Sequence, residues 1–276
     1  MALWRRVSPL EKEWTKIENK ELQYLSKRVE KKDSRLNQLL EKKVPEKLQN
    51  TLDTAFAKAF TLIFEKGTGV IEKTYKKEEL EKDYQINEYI ADVKGNHKSL
   101  KKFAKKASGT GNVNLLLSGV SGIALGILGI GLPDIVVFTG LMLKSVYEIA
   151  LNYGFDYEKE EEKKFILLVI QGAVSYGEEL QEMNEALNEF MRTGRFVGDS
   201  YAMEENLDMV TLEWMIEETA KCLSKELLYM KFLQGIPVVG AAGGAYDAIY
   251  MQKIMEYAKI KYQRRFLLYR KLRPIK

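Results

Sequence analysis

Apolar side chains recur along this chain at helical spacing from near its start to near its end. Leu48, Leu52, Phe56, Phe60 and Ile63 fall at the i, i+4, i+8 positions of one helix face, which predicts a core-facing helix over Pro45–Glu65. Alternation of the strand type, bounded by turn residues, is absent over any convincing length. Start signals support the same assignment. Ser8-Pro9-Leu10-Glu11 places a hydroxyl at the N-cap, proline at N1 and glutamate at N3, a capping box for a charged first helix. Further helices are expected over about Val70–Val93, Lys98–Lys106, Tyr157–Ser175, Glu178–Met191, Met209–Phe232 and Asp247–Arg270. Five prolines in 276 residues leave room for long helices.

Two segments break the amphipathic pattern. From Ala107 to Pro133 nothing is charged, and Gly119, Gly122, Gly126 and Gly129 step by three, four and three. On a helix that spacing aligns them on one face, where a second backbone can approach closely. Each glycine disfavours a helix by about 1 kcal/mol relative to alanine, so the stripe needs tight packing or lipid to offset it. Gly131-Leu132-Pro133-Asp134 interrupts the run and starts a second limb, so 113–152 is expected to form a helical hairpin. The second segment, Phe232–Tyr246, is also uncharged; it carries Pro237 and a GxxxG at Gly240 and Gly244, and Asp247 follows. The expected architecture is an all-α multi-helix bundle with two central glycine-rich segments, the hairpin 113–152 and a helix over 236–270. Residues 1–44 are set apart as a charged N-terminal helix and 45–276 as the main helical domain.

Charge is unevenly placed. Residues 1–111 hold 25 basic and 17 acidic side chains, residues 112–252 hold 9 and 21, and residues 253–276 hold 9 and 1, giving +8, −12 and +8 for a total of +4. Either the basic ends fold onto the acidic middle or they face an anionic surface. For the second case the lipid-contact candidates are Lys98, Lys101, Lys102 and Lys105, and in the last helix Lys261, Arg264, Arg265 and Arg270. Tyrosines and phenylalanines interleaved among the last group suit an interfacial zone. One cysteine, Cys222, excludes an internal disulfide and fits a reducing compartment, with a small core residue the expected role. The first residues lack an apolar signal region, so a cytoplasmic-side, non-secreted protein is expected.

Catalytic and metal chemistry finds little to work with. His97 is the single histidine, expected in an exposed lysine-rich loop, so neither a triad nor a histidine metal site is indicated. No phosphate-binding loop or dinucleotide fingerprint occurs. Carboxylate runs such as Glu160-Glu161-Glu162 are expected to be solvated faces. Asp134 and Asp247 differ, because each borders an apolar segment and needs a partner if buried. No cofactor and no metal is expected. A basic tail with aromatics would suit single-stranded nucleic acid, but no binding motif accompanies it, so nucleic acid is not favoured.

At Gly131-Leu132-Pro133-Asp134, at Tyr153-Gly154-Phe155-Asp156 with its charged-then-apolar helix, and at Ile236–Ala245 before the basic tail, the chain resembles the EcsC protein family. The resemblance covers most of residues 45–270. It implies a helical bacterial protein without an agreed biochemical activity and without catalytic residues to carry over. The founding member's operon also encodes an ABC transporter, which implies a cell-envelope setting. The expected function is therefore a non-enzymatic, membrane-associated accessory or interaction protein, meeting anionic lipid or a membrane-protein partner such as a transporter. The alternatives are a helical-bundle binding protein with buried glycine-rich helices and no membrane contact, and an enzyme with an aspartate-containing pocket.

Overall fold

The computed structural model describes residues 7–29, 45–67, 76–94, 96–109, 133–194, 210–233 and 245–273. Every regular element among the described residues is helical: α1 (Pro9–Ser26), α2 (Glu46–Leu62), α3 (Lys77–Lys94), α4 (His97–Gly109), α5 (Pro133–Asn152), α6 (Glu160–Val174), α7 (Gly177–Thr193), α8 (Leu212–Leu233) and α9 (Ala245–Leu272). The all-α bundle predicted from periodicity is the fold. The first limb of the predicted hairpin and the Gly240–Gly244 segment lie outside the described residues.

Local signals act as the sequence predicts. At the start of α1 the Glu11 N–H donates to Ser8 Oγ (3.1 Å) and the Ser8 N–H donates to Glu11 Oε2 (3.0 Å), closing the capping box. α5 begins at Pro133. It ends where Gly154 takes φ 80°, with Gly154 N–H donating to Leu151 O and Phe155 N–H to Ala150 O, both at 3.0 Å. This is a Schellman cap, and it needs the residue without a Cβ. α2 buries Leu52, Ala55, Phe56, Ala59 and Phe60, and a π-helical turn, Ile63–Gly67, carries Ile63 and Phe64 into the same core.

α6 is the central element. From Phe165 to Val174 no side chain reaches solvent on any face, the mark of a helix enclosed on all sides. α7, α8 and α9 pack around it; α2 lies across α8 and α5, and α3 and α4 cover α5. α1 lies against α9, α4 and α7. Its buried stripe, Glu13, Ile17, Glu21 and Tyr24, is half carboxylate. α1 is fixed where the Arg28 carbonyl accepts from Gly177 N–H (2.8 Å) and Tyr24 stacks on Tyr257, with ring centroids 4.8 Å apart.

α5 is the one helix among the described residues long and apolar enough to cross a membrane, over Ile135–Asn152. Of that stretch 78% is buried inside the bundle, and Ile135, Val136 and Met142–Leu143 are core residues. Packing against α2, α3 and α9 therefore accounts for the apolarity of this limb.

Candidate functional site

The basic last helix points inward. Lys261 on α9 is fully buried, and its ammonium donates to Glu21 of α1, to Asn188 Oδ1 at 3.1 Å and to the Asn184 carbonyl at 3.4 Å. Burial lowers its pKa to about 8 against the pull of Glu21. Arg264 lies 2.8 Å from the other oxygen of Glu21 and over the Trp14 ring. Arg265 is buried 2.7 Å from Glu162, with its guanidinium 4.1 Å from the Phe155 ring centre and 4.4 Å from that of Phe165. Arg270 binds Asp92 and Arg273 lies 2.8 Å from Glu88, both on α3. The expectation that Lys261, Arg264, Arg265 and Arg270 face lipid is corrected on this geometry. They neutralise carboxylates of α1, α3 and α6, which keeps buried charge paired.

Glu162 corrects a second expectation. Glu160 and Glu161 are exposed, yet Glu162 turns inward and accepts from Tyr262 Oη (2.5 Å) and Arg265 Nη1 (2.7 Å). Burial pushes its carboxyl upward, while the arginine and the phenol pull it back. His97 is likewise not in a loop. It sits in the first turn of α4, half-exposed, with Nδ1 2.6 Å from the buried Glu13 carboxylate of α1. Cys222 packs against the core, and burial pushes its thiol up to about 12.

The four α4 lysines behave as expected of a surface. Leu100 and Phe103 anchor the helix in the core, and Lys98, Lys101, Lys102 and Lys105 are exposed on the rest of it. Beside them α3 carries exposed Ile86, Tyr89 and Val93 at helical spacing. Asp83, one turn before Ile86 and on the same side, binds Lys106 of α4, which sets the apolar stripe next to the lysines. The carboxylates Glu88 and Asp92 occupy the other flank of α3, where Arg273 and Arg270 hold them.

The motif residues are placed in part. Gly119, Gly122, Gly126, Gly129, Gly131, Pro237, Gly240 and Gly244 lie outside the described residues. Pro133 opens α5, and Asp134 and Asp247 fall within α5 and α9. The Tyr153–Asp156 turn sits at the mouth of a cleft of about 320 Å³ between α3, the start of α6 and the end of α9. A Cβ at Gly154 would meet the Tyr84 ring at 2.2 Å, so this turn admits no side chain beneath α3. The family model for the EcsC protein family matches residues 10–267. The chain belongs to the EcsC family. No curated protein and no solved structure matches it.

The EcsC match takes in nearly all of α1, the helix set apart at first as a separate N-terminal unit, and Glu21 explains why α1 stays with the bundle: it carries the counter-charge for Lys261 and Arg264. Three positions of this EcsC chain escaped the sequence reading. Glu13, Glu21 and Glu162 look like surface carboxylates, and the signal was periodicity: Glu13, Ile17, Glu21 and Tyr24 form one stripe. Gly172 also went unnoticed. A Cβ there would lie 2.8 Å from the Tyr257 ring, so it is a close-approach glycine of the kind expected elsewhere. Among the described residues no group of histidine, cysteine and carboxylates is arranged to hold a metal ion.

Proposed function

We propose that this EcsC-family protein is a non-enzymatic accessory or interaction protein of the bacterial cell envelope that docks on anionic lipid at the cytoplasmic membrane surface. The observation that carries the proposal is the α3–α4 face, where four exposed lysines border the exposed stripe Ile86, Tyr89 and Val93. Cations near an anionic bilayer contribute about 1 kcal/mol each, and an aromatic with aliphatic neighbours suits the headgroup zone. The buried α5 supports contact through this face and not through that helix. Of the two groups of candidate contacts, the α4 lysines remain, since Lys261, Arg264, Arg265 and Arg270 are paired internally.

Liposome co-sedimentation tests this. The protein binds vesicles containing phosphatidylglycerol, is released by salt, and does not bind phosphatidylcholine vesicles. Changing Lys98, Lys101, Lys102 and Lys105 together to glutamine weakens binding by about two orders of magnitude or more. Recovery in the cytosolic fraction at low salt, with no binding to either vesicle, favours the second reading, a bundle with no membrane contact, for which the 78% burial of α5 speaks. Association with native membranes but not with pure lipid assigns the same face to a membrane-protein partner such as a transporter.

A further inference from the structure

We propose that the cleft at the Tyr153–Asp156 turn binds a small organic oxyanion, a carboxylate or phosphate monoester carrying an apolar body. The cleft encloses about 320 Å³, at the low end of the range of small-molecule sites. Its floor is Arg265, 7% exposed, whose Nη1 donates to Glu162 (2.7 Å) and whose Nε donates to Tyr269 Oη (3.4 Å). Arg270, on the cleft wall, binds Asp92 through Nη2, and its buried Nη1 has no hydrogen-bond partner.

The carboxylates around the cleft are committed differently. Glu162 takes Arg265 and Tyr262, Glu88 takes Arg273, and Asp156 Oδ1 accepts from the Glu158 N–H at 3.1 Å. At the rim Lys159 is exposed and makes no ion pair among the described residues. Glu161 also lines the cleft, exposed at its rim, and Glu88 Oε1 is buried without a hydrogen bond beside its ion pair with Arg273. The unpartnered buried donor is Arg270 Nη1, and buried donors are rarely left without acceptors in folded proteins. A ligand that accepts from an arginine fork is an oxyanion. The remaining wall, Tyr153, Phe155, Phe266 and Tyr269, is aromatic, so the oxyanion carries an apolar body against those rings. The cleft lies on the α9 flank of α3, away from the lysines of α4, so this site stands or falls independently of lipid docking.

Calorimetric titration of the full chain with phenyl phosphate, benzoate, inorganic phosphate and benzyl alcohol tests it. Phenyl phosphate or benzoate binds, and the free anion and the neutral alcohol each bind at least about tenfold more weakly. Lys159→Glu, an exposed rim change that leaves the core untouched, weakens the aromatic anion by about tenfold. The paired change Arg265→Gln with Glu162→Gln leaves no buried charge unpaired and abolishes binding. Absence of binding by either aromatic anion, equal binding of benzyl alcohol, or binding indifferent to Lys159→Glu overturns the proposal. If the paired variant does not fold, Lys159→Glu alone decides.

Discussion

Lys261 and Glu21 are one buried pair, yet removing either partner is expected to have unequal consequences. Glu21→Leu leaves an ammonium inside the bundle with only the amide oxygens of Asn188 and Asn184 as acceptors. Breaking a buried pair in this way costs about 3–5 kcal/mol. Lys261→Met leaves no such orphan, because Glu21 keeps Arg264 at 2.8 Å. The lysine's pKa is lowered from 10.5 to about 8, so burying its charge costs about 3 kcal/mol at neutral pH, and losing its hydrogen bonds to the two asparagines returns about 1–3. Lys261→Met is therefore close to neutral, within about 2 kcal/mol, while Glu21→Leu lowers the melting temperature by roughly 10 °C. The pH dependence has a definite sign. Between about 8 and 10.5 the unfolded chain binds a proton at this lysine that the folded chain has released. This group's contribution to stability therefore rises with pH across that window, by at most about 1.4 kcal/mol per pH unit, and its cost is fully present below pH 8. Urea denaturation of wild type and Lys261→Met from pH 7 to 10.5 isolates the term as a difference, which also removes the contributions of Lys253 and Lys259, lowered by burial too. Equal destabilisation by the two substitutions, or an alkaline slope as steep in Lys261→Met as in wild type, refutes the assigned geometry. Unchanged vesicle binding by Lys261→Met is expected as well, because the side chain is internal.

Gly154→Ala places a Cβ in a left-handed backbone conformation and 2.2 Å from the Tyr84 ring, so it destabilises by about 2 kcal/mol or more; thermal denaturation measures this, and adding Tyr84→Ala restores no stability if the ring contact is misplaced. Native Cys222, with a thiol pushed up to about 12, resists iodoacetamide at pH 7 and reacts at the ordinary rate in urea; fast alkylation of the folded chain contradicts its packing.

Much of the fold follows from local chemistry. The capping box at Ser8 and Glu11, the proline that opens α5 and the Gly154 cap mark helix ends, because the two caps satisfy backbone groups that a helix end leaves unpaired and the proline has no N–H to leave unpaired there, whatever lies nearby. Periodicity likewise marks the buried face of α2, since side chains four apart share one side of a helix. The α4 lysines were legible as a surface for the same reason: Leu100 and Phe103 had to turn inward and carried the lysines outward.

Partnership between distant charges was not legible. A glutamate on a helix reads as solvated, and an arginine in a basic tail reads as available, unless something far along the chain is placed opposite. Glu21 and Lys261 lie 240 residues apart, and Glu162 and Arg265 lie 103 apart. Desolvation of either alone is prohibitive, so each member's position is intelligible only with the other in place. Interactions between near neighbours along the chain set where helices start, stop and turn their apolar faces. Which cations are internal counter-charges and which remain for a partner is set by the packing of distant helices, because Coulomb energy depends on distance in space and on burial, and neither can be read from order along the chain.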